Sequence, residues 1–310
     1  MGSYVMKRLF SVIPLLFIIS FLTFVFINLS PLDPAEVVLQ AQGVPTITDE
    51  LIAQTKQELG LDQPFLIQYF HWLLACLQLD FGHSYVTKEP VSAIIGPAFF
   101  NTLKLTLVSS IVIIVLSILL GVICAMKGGK AIDKSIRGFS FLLMGIPSYL
   151  LASFMIWYFS VKLDLLPTSG LDSYQSYILP VTVITASYVG IYFRSVRNSM
   201  LSHLNEDFVL YGRACGISEK KVTIHILRNS LQVAISIFCM GIPTILGGTV
   251  VVENVFAWPG LGSLSVKSIL NRDFPIIQAY VLILAVSFVF FNTFSDIINA
   301  AMNPKQRKSM

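Results

Sequence analysis

Charged residues make up only 12% of this 310-residue chain, about half the share of a soluble domain. So little charge cannot cover the surface of a water-soluble fold of this size, and a soluble enzyme is excluded. Cysteine is scarce: Cys76, Cys124, Cys215 and Cys239 show no CxxC spacing, and Cys124 and Cys239 read as small apolar fillers. The histidines His71, His83, His203 and His225 show no ligand spacing, so no metal site within the chain is expected. There is no phosphate loop. The segment MKGGKAID has glycine and lysine without the required spacing or hydroxyl, so the chain is not expected to hydrolyse nucleotide. No histidine or lysine lies at membrane depth to serve as the base of an intramembrane protease. Acids are missing from the long apolar runs as well, apart from Asp296 at the end of the last one. An ionisable group at mid-membrane costs about 2.5–3.5 kcal/mol, so a proton relay would leave one visible. Its absence disfavours proton-driven transport.

What the chain has in quantity is apolar side chains, 55% of residues, with a mean hydropathy of +0.76. Spanning about 30 Å of hydrocarbon takes roughly 20 helical residues. Six stretches without Asp, Glu, Lys or Arg meet that length: Leu9–Leu32, Leu105–Met126, Gly138–Val161, Ser173–Phe193, Asn229–Val252 and Phe274–Ser295. The fourth is the weakest, with Tyr174, Gln175 and Pro180 inside it. Gln63–Leu79 is shorter and carries Gln68 and His71, which fits an interfacial or packed helix. The expected fold is an all-α integral membrane protein with six transmembrane helices. Lys7 and Arg8 precede the first run, which is too long for a signal peptide and is followed by no small-x-small cleavage site, so it reads as an uncleaved anchor.

With the N-terminus inside, fifteen of the twenty-one basic residues face the cytoplasm, so both termini are expected there. The net charge of +4 then reflects loops near an anionic leaflet rather than nucleic-acid binding. The expected organisation is an N-terminal transmembrane helix over 1–32, an outer loop with short helices over 33–98, a five-helix core over 99–303 and a cytoplasmic tail over 304–310. The outer loop is acidic, which a solvated face accounts for.

Pro14, Pro147, Pro180 and Pro243 lie inside the apolar runs, where a missing backbone donor needs neighbouring protein or water. Gly121 with Ala125 and Ala186 with Gly190 are small pairs that permit close helix contact. Around the segment MGIPTILGG, Met240, Pro243, Gly247 and Gly248, together with Pro147, fit either ordinary bundle packing or the wall of a gate. The largest inner loop, 194–228, mixes apolar and charged residues at helical spacing. A helix running to about Cys215, a stop at Gly216 and a second helix capped by Ser218 with Glu219 at its positive end would make a rigid knob.

This loop resembles the coupling loop of ABC importer permeases, whose general motif is EAA, three residues, G, nine residues, then IxLP. Aligned on Gly216, the EAA positions fall at Leu210, Tyr211 and Gly212 and the terminal pattern at Ile226, Arg228 and Asn229, so only the glycine and the isoleucine match that form. NEDFVLYGRACGISEKKVTIHILRNSL is closer to the dipeptide, oligopeptide and nickel branch, through Asp207, Phe208, Val209, Arg213, Ala214, Gly216, His225, Arg228 and Asn229. Gly212 stands where that branch usually has alanine, which weakens the helix by about 1 kcal/mol. FGHSYVTKEPV, NTLKLTL, LPTSG and VVVENVFAWPGLGSLSVKSILNRDFPIIQAYVLI extend the likeness over nearly the whole chain. Within the branch, the chain is most similar to the nickel and metallophore (staphylopine-type metal-complex) import permeases of Gram-positive bacteria.

The resemblance implies the fold of a type I importer permease. It also implies a second permease chain, two ATPases that use ATP and Mg, an extracellular substrate-binding lipoprotein, a plasma-membrane location, and no cofactor bound by this chain. Glu206, Asp207, Tyr211, Gly212, Arg213, Ala214, Gly216, Lys220, Lys221 and Ile226 would form the ATPase-coupling element. Arg213 and the two lysines fit ATPase acids, while the lysines equally fit positive-inside topology. Glu253, Trp258, Pro259 and Gly260 would lie in an outer loop whose exposed tryptophan docks the binding protein, covers the cavity or anchors at the interface. The implied cargo is nickel or a nickel, cobalt or zinc chelate; a di- or oligopeptide is the alternative. A stand-alone secondary transporter is the distant one.

Overall fold

The computed structural model describes residues 2–29 and 33–302. The tail at 304–310, the end of the first expected segment at 30–32, and Lys305, Arg307 and Lys308 lie outside them. The described chain is helical, and its one β contact is an isolated bridge between His83 and Pro90. The helices are α1 (Gly2–Asn28), α2 (Pro34–Ala41), α3 (Asp49–Glu58), α4 (Phe65–Leu77), α5 (Val91–Met126), α6 (Ala131–Gly145), α7 (Ser148–Met155), α8 (Ile178–His203), α9 (Asp207–Ala214), α10 (Glu219–Val255), α11 (Leu261–Leu270) and α12 (Phe274–Met302).

Four helices among the described residues are long and apolar enough to cross a membrane: Val91–Met126, the stretch Tyr174–His203, Ala234–Val255 and Phe274–Ile298. The pair α6 and α7 makes a fifth if it is one span, bent by 98°. Its break has a local cause. Proline disfavours helical backbone in the residue before it, and Ile146 is extended at φ −84° and ψ 125° ahead of Pro147. Beyond α7 the chain widens into a π-helical turn, Ile156–Lys162. The described apolar stretch of α1, Val12–Asn28, is 17 residues long and falls short of the spanning length. The weakest apolar run starts as a 3-10 turn at Tyr174–Tyr177, and its helix begins only at Ile178. Pro180 therefore sits in a first turn, where no helical donor is lost.

The chain divides into two compact units. The first comprises Met1–Thr102 and Pro259–Val289. In it, Asp33 caps α2 by accepting from the Ala35 N–H (3.1 Å), and Thr48 caps α3 by accepting from the Leu51 N–H (3.3 Å). Lys56 pairs with Asp33 and so ties the two short helices together. Tyr69 of α4 is buried among Phe17, Phe21 and Phe24 of α1, and its hydroxyl shares a 2.9 Å hydrogen bond with Ser20. A small core of Val91, Ile95, Ala98, Leu261, Ile276 and Ala279 joins the start of α5 to α11 and α12. Thr102 accepts from the Leu261 N–H (2.7 Å), and Asn101 donates to the Pro259 carbonyl (2.9 Å).

A second fastening in this unit holds the loop after α4. The buried Asp273 carboxylate accepts from the Ser84 hydroxyl and the Tyr85 N–H (3.0 Å), while Ser84 accepts from the Val86 and Thr87 amides. Burial, and after it the Asp273 carboxylate, pushes the Tyr85 hydroxyl up to about 12.

The second unit comprises Leu103–Trp258 and Phe290–Met310. Its core is the α8–α10 interface, with Ile184, Tyr192, Val196, Met200, Val222, Ile226 and Phe238 buried. Small residues permit the close packing. A Cβ on Gly121 would sit 2.7 Å from Val196, and one on Gly190 would sit 2.5 Å from the Met144 sulfur.

Candidate coupling and translocation site

The loop expected to form a knob folds as a helical elbow, α9 followed by α10. Gly216 lies at φ +74°, the left-handed backbone that glycine adopts without steric cost. The Gly216 N–H donates to the Arg213 carbonyl and the Ile217 N–H to the Gly212 carbonyl, both at 3.0 Å. Those paired bonds form a Schellman closure, which satisfies the last carbonyls of α9 and turns the chain sharply. Across the turn Arg213 binds Glu219 through both carboxylate oxygens, at 2.9 and 3.2 Å.

Val209, Gly212, Val222 and Ile226 are buried, and they seat α9 on α10. Glu206, Asp207, Tyr211, Arg213, Ala214, Lys220 and Lys221 are exposed. Tyr211 is 72% exposed and Leu210 beside it 56%, an aromatic and apolar face turned away from the helix it rests on. Ile226 is thus an anchor within the elbow rather than part of its presented face. A Cβ at Gly212 would meet Ile217 and Val222 at 3.8 Å, an ordinary contact, so space does not demand glycine there.

Two details depart from the sequence reading. Ser218 occupies the cap position of α10 but makes no side-chain cap bond. The second helix of the knob and the fifth apolar run are also one continuous helix, the 37-residue α10. At 1.5 Å per residue that rod is about 55 Å long, so the elbow, Pro243 and the far end of α10 share one lever.

Along that lever the expected gate residues take different roles. Pro243 is buried, whereas Met240 and Gly247 are exposed. Gly241 and Gly248 receive the two tyrosines of α8. A Cβ at Gly241 would fall 1.6 Å from the Tyr192 hydroxyl, and one at Gly248 would fall 2.1 Å from the Tyr188 hydroxyl. Tyr188 donates to the Thr244 carbonyl at 3.2 Å, one turn from Gly248. A Cβ at Gly247 meets nothing within 4 Å. Gly247 and Met240 therefore lie on an open face of α10, whereas Gly241 and Gly248 lie beneath the α8 tyrosines, Gly248 itself remaining exposed. Pro147 sits apart from them, at the α6–α7 break.

The expected exposed tryptophan is corrected. Trp258 is fully buried, its ring edge-on to Tyr177 at 4.6 Å, and Glu253 is fully buried too, with Thr249 donating to it at 3.2 Å. The cause is the end of α10. Ala257 takes φ +46°, and the Trp258 N–H folds back to the Glu253 carbonyl at 2.8 Å. This second Schellman closure turns the large residue beyond the helix onto the preceding turn. Only Pro259 of the four expected docking residues is exposed, since Gly260 is buried as well. No group of three or more His, Cys, Asp or Glu side chains able to hold a metal occurs among the described residues.

Sequence reasoning missed three pairings: Tyr188 and Tyr192 against the glycines of α10, Ser84 with Asp273, and Asp133 with Arg197. Only the first left a signal, since tyrosines four apart on α8 share a face with room for small partners opposite.

Four helices long and apolar enough to cross a membrane, with a fifth if the bent pair is one span, fit the class of multi-pass membrane proteins. The backbone is similar to that of the MetNI methionine ABC transporter in an inward-facing form, with a TM-score of 0.60 over 69% of this chain and 99% of that one at 18% identity, a likeness of fold alone. Residues 117–308 match the family described as binding-protein-dependent transport system inner membrane component, and residues 1–106 match the N-terminal family of such membrane components. The chain belongs to this family, as the permease component of an ABC importer. It is 55% identical over 308 residues, 99% of each chain, to the metal-staphylopine import system permease protein CntB of Staphylococcus aureus (strain NCTC 8325). It is 39% identical over 310 residues, again 99% of each, to the glutathione transport system permease protein GsiC of Salmonella typhimurium.

Proposed function

We propose that this chain forms part of the pathway by which a metal chelate of the amino-acid-derived metallophore class, carrying nickel, cobalt or zinc, enters the cell. The observation that carries the reading is the full-length 55% identity to a metal-staphylopine import permease. A bare cation fits less well than a chelate, because the described residues offer no cluster of metal ligands.

In this reading α1 is a sixth crossing, both termini lie in the cytoplasm, and the α9–α10 elbow faces inward. The chain pairs with a second, similar permease and with two ATPases that consume ATP and Mg, while an extracellular lipoprotein delivers the chelate. This chain itself binds no cofactor and catalyses no reaction. ATP-driven closure of the ATPases presses on Tyr211 and its neighbours, and α10 carries the displacement towards Pro243. The burial that seats α9 on α10 and the bidentate Arg213–Glu219 bridge support this, since a soft loop would absorb the push.

The glutathione permease relative keeps a peptide cargo as a second reading. Uptake by the complete reconstituted assembly, with metal-staphylopine-type chelate, glutathione and a dipeptide in competition, separates the two. Accumulation of chelated metal undiminished by excess glutathione or dipeptide is expected; preferential uptake of either peptide would overturn the chelate reading.

A further inference from the structure

One buried charge cluster in the second unit has no part in the elbow or the gate. Asp133, in the first turn of α6, is fully buried, and a lone carboxylate in that position would be strongly destabilising. It is not alone. Arg197 of α8 grips both of its oxygens, Nε to Oδ1 and Nη2 to Oδ2, each at 2.8 Å. Arg137 approaches Oδ1 at 3.2 Å, and the Gly129 N–H donates to Oδ2 at 3.1 Å. A bidentate guanidinium–carboxylate pair fixes angle as well as distance.

Where the pair sits gives it consequence. Asp133 opens the helix that breaks at Pro147, while Arg197 lies on the helix that runs directly into the elbow at Asp207. Further along, the same two helices touch again, with Gly190 against Met144 and the Arg194 guanidinium 3.3 Å from the Met144 sulfur. The Met144 and Ser140 side chains of α6 fill the space that a Cβ at Gly190 would take. α6 and α8 are therefore fastened at two levels, one ionic and one packed.

We propose that Arg197 and Asp133 are positioning residues of the transport cycle: they make α6 and α8 one rigid body, so that displacement of the elbow flexes the bend at Pro147. This rests on the elbow being the ATPase-driven element, and it adds a second output of that motion beside α10. A buried ion pair is weak evidence for stability as such, because hydrophobic packing replaces many such pairs without loss. An orienting role explains why one is kept between these two helices.

The test uses the complete assembly in lipid nanodiscs and proteoliposomes, with the native cysteines of this chain replaced by serine. Spin labels at Phe139→Cys and Ile191→Cys report the α6–α8 distance, and labels at Phe139→Cys and Phe154→Cys report the bend; all three positions are exposed. On adding ATP, the first distance is expected to stay fixed and the second to change. In Arg197→Gln and Asp133→Asn, ATP hydrolysis is expected to persist while transport per ATP falls about tenfold, with partial recovery in Arg197→Lys. An ATP-dependent shift of the first distance in the otherwise unaltered protein would overturn the proposal. So would variants that transport normally per ATP. Should a variant fail to assemble, the distances in the unaltered protein decide alone. Failure of the unaltered assembly to transport would instead count against the proposed function.

Discussion

Three glycines within eight residues of α10 should respond to the same substitution in three different ways. Replacing an interior helical glycine by alanine favours the helix by about 1 kcal/mol. At Gly247 nothing opposes that gain, since the added methyl enters open space. At Gly241 the methyl would lie 1.6 Å from the Tyr192 hydroxyl and 2.6 Å from Cζ. Tyr192 is only 5% exposed and stacks on Phe238 at 4.9 Å, so the ring cannot swing aside. Overpacking of this kind costs about 1–3 kcal/mol, which leaves Gly241→Ala destabilised by up to about 2 kcal/mol. Gly248 is intermediate, because Tyr188 is half-buried and can move at the loss of its hydrogen bond to Thr244. Thermal unfolding of the purified chain in one detergent should therefore rank Gly247→Ala above the unaltered protein, Gly248→Ala near it and Gly241→Ala below. Adding Tyr192→Phe to Gly241→Ala should restore part of the loss, since Cζ remains too close. Equal effects at all three positions would refute the placing of Gly241 and Gly248 beneath the α8 tyrosines and of Gly247 on an open face.

Further outcomes follow from the same geometry. Gly216→Val forces a branched residue into left-handed backbone at a cost of about 1–2 kcal/mol, and it should uncouple ATP hydrolysis from transport, measured together in proteoliposomes. Trp258→Ala should lower stability by about 3–5 kcal/mol in thermal unfolding, as for a buried aromatic; an unchanged midpoint with weakened binding-protein affinity would instead mark a docking residue. Tyr85 holds its proton more tightly in the fold, with a pKa raised from 10.0 to about 12. Its contribution is thus complete below pH 10 and lost between pH 10 and pH 12, by at most roughly 3 kcal/mol. Tyr85→Phe should flatten that part of a stability-against-pH curve of the first unit, followed by hydrogen exchange.

The features legible in sequence were those set by local chemistry. Gaps in charge located the apolar helices, and Gly216 after Cys215 marked a helix stop because one residue type favours that backbone. Pro147 was readable as a break, but not its 98° angle, which depends on how the helices on either side pack. Trp258 misled because an alanine before it takes the left-handed conformation, a choice that tertiary packing imposes against intrinsic preference. Arg197 was legible only as one more inward-facing cation. Its partner Asp133 lies 64 residues away, and no local pattern links them. The continuity of the elbow with the fifth apolar run was hidden by Arg228, a charge that the long helix carries on an exposed position.

The central claim is that this chain moves by another subunit's hydrolysis. Proteoliposomes containing the permease pair and binding protein, with and without the ATPases, test it through accumulation of chelated radiometal. The account predicts accumulation against a gradient only with the ATPases and hydrolysable ATP, and none with the ATPases omitted. Concentrative uptake by the permease chains without the ATPases would contradict it.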